Sequence, residues 1–379
     1  MVLGCGAMGS DTVEQLIKYS DVDLIIADID IEKAKRLKAK IDSSRISVDS
    51  IDVNNYNDLV EKIKNANPDV VASTVGPFYL TAENVYNACI EANVNCVDIC
   101  DDPPGTQAAL ALDEKAREAG ITIITGTGDS PGLTNIMVKY AADKMDRVDD
   151  VNIYWITPWA ISGTAQFYHG IYMFTHSHQY INGKLVKMRG KLTTEFLFPF
   201  GKMEVSFIDH PEQYTLPKYI KGIKNVRNAG AIWPIPKFSV EDLVEIVDII
   251  KEPIIINNIK IEAKECVISL IEHARDELKK KWIKSKIPWD LGATKIEIIG
   301  EKNKMPIKYI FNGIGQGTGG TSRCLGTIAK MLVKKEISVK GVYAPEGCVE
   351  PELFIKEFSN GKLGLTTIPE SSYINFYRI

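Results

Sequence analysis

The sequence has no apolar run long enough to cross a membrane and no large excess of charge of either sign. A membrane span needs about 20 consecutive apolar residues, and no stretch of this 379-residue chain approaches that length. Its 45 lysines and arginines nearly balance 49 aspartates and glutamates, giving a formal net charge of −4. We therefore expect two or three domains whose main partner is neither nucleic acid nor a membrane.

Cysteine is scarce, and a secretory signal is not recognisable. The seven cysteines are odd in number and scattered, a pattern typical of reduced thiols in a cytoplasmic protein. Cys96 and Cys100 have the spacing of a ligand pair, but a zinc site would need a second pair. A glycine-rich motif stands where a signal peptide would have its charged and apolar regions. We expect a cytoplasmic location and no metal.

What the chain does contain is the glycine-rich motif itself, Gly4-Cys5-Gly6-Ala7-Met8-Gly9. Glycines in a G-x-G-x-x-G frame let a strand turn tightly into a helix and let the backbone approach a pyrophosphate. The phosphates then lie at the helix N-terminus, where N–H groups and the helix dipole favour anions. Only three residues precede Gly4, so the first strand is either short or clipped. An apolar run at 24–27 predicts the next buried strand, which ends at Asp28.

Asp28 decides between the two nicotinamide cofactors. A carboxylate at this strand end can accept both ribose hydroxyls of NAD and repels the 2′-phosphate of NADP. We expect NAD as the cofactor, with NADP possible. The predicted cofactor-binding residues are Gly4, Gly6, Ala7, Met8, Gly9, Asp28, Asp52, Val53, Thr74, Gly76 and Gly128.

Over the first 125 residues, apolar strands alternate with helix patterns, which predicts a parallel sheet. The candidate strands are 22–28, 46–52, 69–75, 95–100 and 121–125. The candidate helices are 31–41, 56–65, 81–93 and 106–119. The economical solution is a Rossmann-type, doubly wound sheet with helices on both faces, although the strand order is not specified.

After about residue 146 the pattern changes, because strand-like segments follow one another without helices. These segments are 150–157, 166–176, 184–189, 193–199 and 203–208, followed by 294–300 and 305–312. Turn signals between them suggest hairpins in a mostly antiparallel sheet. Further helices are predicted at 239–251, 262–282 and 321–332, and a short strand at 340–344.

We predict an α/β protein with two domains. The first is an NAD(P)-binding Rossmann domain at 1–130, to which part of about 316–350 returns. The second is an α+β substrate and dimerisation domain at 131–315 with a mostly antiparallel sheet. Its exposed strand edges suggest a homodimer.

Loops that follow the parallel strands should hold the chemistry, because ligands gather at the carboxyl ends of such strands. Gly76-Pro77-Phe78-Tyr79 follows one strand and could contact the cofactor, or it could be a rigid turn with two packed aromatics. Asp101-Asp102 follows another, where the carboxylates could bind an ammonium, act as a base or cap a helix. A third loop, Gly126-Thr127-Gly128-Asp129-Ser130-Pro131-Gly132-Leu133, opens a helix and leaves room for a flat nicotinamide ring.

Candidates in the second domain are more diffuse. His176 and His178 alternate and could share a metal, although neutral polar histidines near a cleft are the favoured interpretation. Arg227 could hold a carboxylate through two hydrogen bonds, or it could be a surface arginine. The stretch 315–322 is rich in glycine but lacks the ending of a P-loop, which disfavours ATP chemistry.

The motifs resemble the saccharopine dehydrogenase-like family, which includes saccharopine reductase, lysine 6-dehydrogenase and carboxynorspermidine dehydrogenase. The similar stretches are Gly4–Gly9, Val75–Tyr79, Cys96–Asp102, Gly128–Asn135 and Gly341–Glu346. Arg227 falls where the family places an arginine that holds a substrate carboxylate. Saccharopine reductases have a tyrosine directly after the loop proline, whereas this chain has Phe78 and then Tyr79. The large all-helical insertion of eukaryotic saccharopine reductases has no room in this chain either. Both points favour the compact, lysine-dehydrogenase-like members and leave the substrate open.

The resemblance implies hydride transfer at a carbon that bears nitrogen, in an amino acid or an amine derived from one. The implied catalytic residues are Asp101, Asp102 and Tyr79, and the implied substrate-binding residues are Arg227, Phe78, Asp129 and Pro131. Two alternatives stay open. One is an NAD-binding regulator or sensor without catalysis, and the other is a C=C or C=O reductase on the same scaffold.

Overall fold

The computed structural model describes residues 1–158, 169, 173, 176–233, 254–256, 259–261, 273, 280, 288, 290–316, 318–360 and 373–378. Within these residues the strands form a parallel sheet, a larger mixed sheet and a two-stranded ribbon. No helix in this part of the chain is long and apolar enough to cross a membrane. The predicted segments 166–176, 239–251 and 262–282 lie wholly or mostly outside the described residues, as does Cys266.

The strands, in chain order, are Val2–Leu3 (β1), Leu24–Asp28 (β2), Ile46–Ser50 (β3), Val70–Ser73 (β4), Asn95–Asp98 (β5), Thr122–Ile124 (β6), Arg147–Pro158 (β7), His178–Ile181 (β8), Lys184–Lys187 (β9), Lys191–Glu195 (β10), Lys202–Phe207 (β11), Asn225–Trp233 (β12), Ile254–Ile256 (β13), Ile259–Ile261 (β14), Leu291–Lys302 (β15), Met305–Gln316 (β16), Gly341–Tyr343 (β17) and Tyr373–Arg378 (β18). The helices are Ala7–Tyr19 (α1), Ile31–Ile41 (α2), Tyr56–Ala66 (α3), Phe78–Ala92 (α4), Pro103–Ala111 (α5), Asp113–Glu118 (α6), Leu133–Ala142 (α7), Glu212–Tyr219 (α8), Gly319–Val333 (α9) and Pro351–Asn360 (α10). A 3₁₀ turn spans Pro345–Gly347.

The parallel sheet has the order β17-β6-β5-β4-β1-β2-β3 among the described strands. Its strands are short, and β4 and β6 are buried along their whole length. The order reverses at β1, where the chain crosses from the β2 side to the β4 side, so a crevice opens at the carboxyl ends of β1 and β4. The predicted doubly wound α/β fold is confirmed.

Helix boundaries in this domain follow from local capping. Asp30 accepts a hydrogen bond from the Glu32 N–H at the start of α2, and Asn55 caps α3 from its side-chain oxygen. Asp42 ends α2 in the left-handed region, which aspartate tolerates better than most residues. The single helix predicted at 106–119 is divided in two, because Leu112 leaves the helical conformation between α5 and α6.

The larger sheet has the order β10-β11-β12-β7-β15-β16-β18, with β8 paired to β12 and β9 to β8. Its long strands β7, β15 and β16 run antiparallel to their neighbours in this group, whereas β12 and β7 are parallel. The predicted mostly antiparallel sheet is therefore confirmed. One face of the sheet packs toward the Rossmann domain through Val151, Ile153, Ile296 and Ile298, which belong to the main core.

The chain returns to the first domain after β16. Helix α9 packs on α1, and β17 extends the parallel sheet beside β6. This return places the 3₁₀ turn at 345–347 at the same sheet edge as the loops that follow β4, β5 and β6. The exact domain limits stay a prediction.

Replacing Gly230 with alanine should lower the melting temperature. A Cβ at this position in β12 would lie 2.5 Å from the buried ring of Trp155 in β7, and overpacking of this kind costs about 1–3 kcal/mol. The matched control is Gly319→Ala in α9, where an added Cβ meets no atom within 4 Å. Thermal unfolding of both variants checks this; an unchanged melting temperature for Gly230→Ala would contradict the close packing of β12 on β7.

Candidate active site

The glycine motif forms an open cradle between β1 and α1. A Cβ on Gly9 would lie 1.9 Å from the Gly4 carbonyl oxygen, so only glycine lets the helix approach the strand end so closely. Gly6 and Ala7 are exposed, and a Cβ on Gly6 would meet nothing within 4 Å. The first turn of α1 has no acidic residue and no side-chain cap. Its first N–H groups are thus available to an anion, and the cradle fits the pyrophosphate of a dinucleotide.

Asp28 lies at the end of β2, next to this cradle. Its carboxylate accepts hydrogen bonds from the N–H groups of Cys5 (2.8 Å) and Asp30 (3.0 Å). These contacts fix the carboxylate at the position that the ribose of a bound dinucleotide would reach. The geometry fits the predicted role of Asp28, while the preference for NAD over NADP stays a prediction.

The remaining predicted cofactor residues lie along the same edge of the sheet. Thr74 follows β4 and donates to the carbonyl oxygen of Leu3 (2.9 Å), which ties β4 to the strand before the glycine turn. Asp52 follows β3 and accepts from the Asn54 N–H. The others are placed in the turns after β3, β4 and β6, and they are Val53, Gly76 and Gly128.

Asp98 braces two of these loops, a role that the sequence analysis did not anticipate. It is fully buried at the end of β5 and accepts hydrogen bonds from the N–H groups of Cys100 (2.7 Å) and Gly126 (3.0 Å). Burial raises its pKa to about 6 despite these donors. The loop holding Asp101 and the loop after β6 are therefore held together by one carboxylate.

Asp101 and Asp102 enclose a histidine from the second domain. His169 Nδ1 lies 2.7 Å from Asp102 Oδ1, and His169 Nε2 lies 3.2 Å from Asp101 Oδ2. Asp102 is fully buried and also accepts a hydrogen bond from the Tyr79 N–H at the start of α4 (3.2 Å). Asp101 is 26% exposed, so it is the carboxylate of this array that faces the cleft.

Charge and burial shift the pKa values of this Asp101–His169–Asp102 array. Burial alone would lower the pKa of His169, but the Asp101 charge and the hydrogen bond to Asp102 raise it above its usual 6.5. The pKa of Asp101 is raised by burial and by the charge of Asp102, which outweigh the opposing charges of His169 and His210. Asp101 and His169 therefore each hold a proton more readily than the isolated side chain would.

The three side chains also lie close enough to share a metal ion. Each imidazole nitrogen already faces a carboxylate oxygen, so hydrogen bonding accounts for the arrangement and we assign no metal to it.

A second histidine–carboxylate pair, His210 and Glu212, lies beside the array. Both side chains are buried, and His210 Nδ1 is hydrogen-bonded to Glu212 Oε2. The two histidine rings are 6.1 Å apart between centroids, in an edge-to-face arrangement. Sequence reasoning missed His169, His210 and Glu212; the His-x-Glu spacing at 210–212 is the one local signal that could have pointed to this pair.

Three of the residues predicted to bind the substrate lie in the loops and helix starts around the cleft. Phe78 is buried in the first turn of α4, and Pro131 is buried in the loop before α7. Asp129 is held from the second domain, because Thr294 donates to its carboxylate (2.6 Å). Burial raises the pKa of Asp129. Contacts of these residues with a substrate stay predictions.

Arg227 is not brought to this cluster. It alternates with Asn228 along β12, and Asn228 donates to Glu212 Oε2 (3.0 Å) on the face toward the Rossmann domain. The Arg227 guanidinium therefore lies on the other face of the sheet, where it pairs with Asp150 (3.2 Å) and Asn152 (3.1 Å). The geometry disagrees with the predicted carboxylate clamp in this cleft.

The two alternating histidines do not share a strand either. His176 lies before β8, and Ser177 between them has a positive φ of 42°. His178 Nδ1 is paired with Asp209 (2.9 Å). The two histidines therefore do not lie on one face of a common strand.

Several curated proteins are similar to part of this chain. Carboxyaminopropylagmatine dehydrogenase from Synechocystis is 24% identical over 37% of this chain and 37% of its own length. Carboxynorspermidine synthase from Vibrio cholerae is 26% identical over 40% and 42%, respectively. A mouse saccharopine dehydrogenase-like oxidoreductase is 34% identical over 27% and 24%. The matches thus span about two fifths, or less, of the length of these relatives.

The whole chain shares its fold with a solved structure. Saccharopine dehydrogenase (L-Glu forming) from Saccharomyces cerevisiae superposes with a TM-score of 0.65, covering 100% of this chain and 99% of that one. Their sequence identity is 16%, so the likeness concerns the fold.

Replacing Asp28 with asparagine should weaken NADH binding about 10-fold or more and leave NADPH binding equal or tighter. Hydrogen bonds to a charged acceptor are worth about 1.5–3 kcal/mol each, and the repulsion of a 2′-phosphate disappears with the charge. Fluorescence titration with both reduced cofactors measures the change. Asp23→Asn, an exposed residue just before β2, is the control. Equal affinities for the two cofactors before and after substitution would contradict the role of Asp28.

The N-terminal domain is the part of the chain that a family model matches. Residues 1–124 match the family model described as the saccharopine dehydrogenase NADP binding domain. This match agrees with the open glycine cradle, whereas the carboxylate of Asp28 at the end of β2 is the feature from which we predict NAD. An NAD(P) cofactor and the resemblance of this chain to the saccharopine dehydrogenase-like family are thereby confirmed.

Proposed function

We propose that this protein is an NAD(P)-dependent oxidoreductase that transfers hydride at a C–N centre of an amino acid or of an amine derived from one. The observation on which this rests is the Asp101–His169–Asp102 array at the carboxyl end of β5. That edge of the sheet also holds the cofactor cradle, so proton transfer and hydride transfer can take place in one cleft.

The three members of the array have different tasks. Asp102, fully buried and held by the Tyr79 N–H, fixes the orientation and the tautomer of His169. His169 then presents Nε2 toward Asp101. Asp101, the partly exposed member, meets the substrate and passes the proton that it accepts to His169. Tyr79 acts through its backbone in this arrangement, which differs from the predicted catalytic role of its side chain.

Oxidation at a C–N centre requires a neutral amine, because only its lone pair can assist the departure of hydride. An amino group enters as an ammonium ion, and the carboxylates of Asp101 and Asp102 attract this cation to the cleft. Asp101 takes one proton from the ammonium nitrogen, and His169 stores it. When bound, the nicotinamide ring supplies the acceptor for the hydride.

The names of the relatives support an amine substrate with a carboxyl group. Carboxynorspermidine synthase and carboxyaminopropylagmatine dehydrogenase are both named after carboxylated amines. The homodimer and the cytoplasmic location stay predictions.

The direct test is the absorbance of the reduced nicotinamide during turnover. Purified protein is mixed with NAD or NADP and, in turn, with lysine, saccharopine, ornithine, diaminopimelate and carboxynorspermidine. Reduction of the cofactor with one of these amines is the expected result. Tight NADH binding without turnover of any of them would favour the sensor or a substrate without an amine.

Asp101→Asn should lower kcat about 10²-fold or more, which is the usual contribution of a positioned acid–base group. The variant keeps the size of the side chain and, because the cofactor cradle is not altered, it should bind NADH normally. Asp21→Asn, an exposed residue before β2, is the control. Steady-state assays and NADH titration check both variants; an unchanged kcat for Asp101→Asn would refute the proposed proton acceptor.

Oxidative turnover should fall as the pH falls through the raised pKa of His169. His169 must be neutral to store the substrate proton, and its pKa lies above the usual 6.5. The active form is therefore lost on the acid side, with a midpoint above 6.5. The profile of kcat against pH reports this midpoint for the substrate complex. A midpoint below 6.5, unaffected by Asp101→Asn, would contradict the assignment.

A further inference from the structure

The proposed oxidation leaves the second histidine–carboxylate pair without a task. Glu212 has no exposed surface, and its carboxylate accepts four hydrogen bonds. The donors are His210 Nδ1, Ser130 Oγ (2.5 Å), Thr134 Oγ1 (2.9 Å) and Asn228 Nδ2 (3.0 Å). Such a set of donors goes beyond what is needed to cap α8, and it holds the His210 ring in one orientation.

The position of His210 relates it to the reacting centre. The centroid of its ring lies 6.1 Å from that of the His169 ring and 6.4 Å from that of the Trp155 ring in β7. Two imidazoles, each with its own carboxylate, therefore lie next to each other. Their carboxylates come from different parts of the fold, Asp102 from the loop after β5 and Glu212 from the first turn of α8.

The chemistry needs a second proton-transfer group. Loss of hydride from the amine leaves a C=N bond, and release of a carbonyl product requires water to add to its carbon. The array around His169 already holds the proton taken from the amine, so it is not free to accept the proton of this water.

We propose that His210 is the acid–base group of this C–N hydrolysis step and that Glu212 is its positioning residue. The proposal rests on the proposed function. A water oxygen bonds to the carbon, the C=N π pair moves to nitrogen, and His210 Nε2 takes the water proton. His210 then returns this proton to nitrogen. The C–N bond breaks with its pair on nitrogen, the O–H pair forms the C=O bond, and the hydroxyl proton leaves to solvent.

The electrostatics of Glu212 suit this positioning role. Burial alone would raise its pKa, but the His210 charge and the hydrogen bonds from His210 and Ser130 hold the pKa of Glu212 below its usual value. Ionised Glu212 keeps a proton on His210 Nδ1, so that Nε2 is the basic nitrogen whenever the ring is neutral.

The kinetic test separates hydride transfer from hydrolysis. In rapid mixing with the amine that the wild-type protein oxidises, His210→Asn should still give a burst of one NADH per site. Its steady-state rate should fall about 10²-fold. Hydroxylamine, which attacks the C=N carbon without a general base, should restore turnover in the variant. Glu212→Gln should behave in the same way. The matched control is His178→Asn, which removes a partly exposed histidine that is paired with Asp209 and not with Glu212.

A slowed burst in His210→Asn, or a steady-state rate that hydroxylamine does not restore, would overturn the proposal, as would unchanged turnover. His210→Gln provides a second variant if His210→Asn does not fold, and NADH titration shows which variants are intact. Failure of the proposed function is seen separately, because the wild-type protein then oxidises no amine.

A measurement without substrate completes the test. The NMR spectrum of the wild-type protein should contain a strongly downfield Nδ1–H resonance from the His210–Glu212 hydrogen bond. This resonance should be absent from His210→Gln and displaced in Glu212→Gln, while His178→Asn keeps it. A spectrum in which His210 carries its proton on Nε2 alone would overturn the proposal whatever the kinetics show.

Discussion

A carboxylate buried at a domain junction must have its charge balanced by hydrogen-bond donors, and the structure of this cleft depends on that requirement. Glu212 meets it with donors from three separate segments: His210 beside it, Ser130 and Thr134 before and within α7, and Asn228 in β12. Removing any one donor would leave part of a buried charge unpaired, which is costly. The segments are thereby held in one arrangement, and the loop after β6 is fixed next to β12 of the second sheet.

The fold of the first domain was predictable because its signals are local. Apolar strands, helix caps and the glycine frame at Gly4–Gly9 each act within a few residues, and the structure places β2, α2 and β5 close to the predicted ranges. The order of the strands was not predictable, because parallel neighbours such as β1 and β4 are about 70 residues apart in the chain. Hydrophobic periodicity shows which face of a strand is buried, but it does not identify the neighbouring strand.

Only the residues that the first domain contributes to the site could be predicted from the sequence. Asp101 and Asp102 follow a strand whose carboxyl end had to face the cleft, whereas His169 meets Asp102 across 67 residues of chain. No local pattern distinguishes such a histidine from one on the surface. For Arg227, spacing alone favoured a surface arginine, and the carboxylate clamp came from the family resemblance. Strand alternation gives the cleft face to Asn228, and only the pairing of β12 with β7 shows which face that is.

Next to Glu212 lies a second buried acid, Glu346. The two residues change the free energy of unfolding in opposite directions as the pH rises. Burial raises the pKa of Glu346 to about 7, although Asn135 donates to one of its oxygens (3.0 Å). Between pH 4.5, which is the ordinary pKa of this carboxyl, and about pH 7, the unfolded chain has released a proton that the folded protein keeps. Glu346 therefore makes folding less favourable as the pH rises through this range. Glu212 has a lowered pKa, so its contribution to stability is present above pH 4.5 and is lost as the pH falls through the pKa of the folded state.

The two carboxyl groups also affect each other, because two adjacent anions in a medium of low polarity repel strongly. Below about pH 7 the neutral carboxyl of Glu346 therefore lets Glu212 remain ionised beside His210, so the cleft keeps one charged carboxylate next to one that holds its proton.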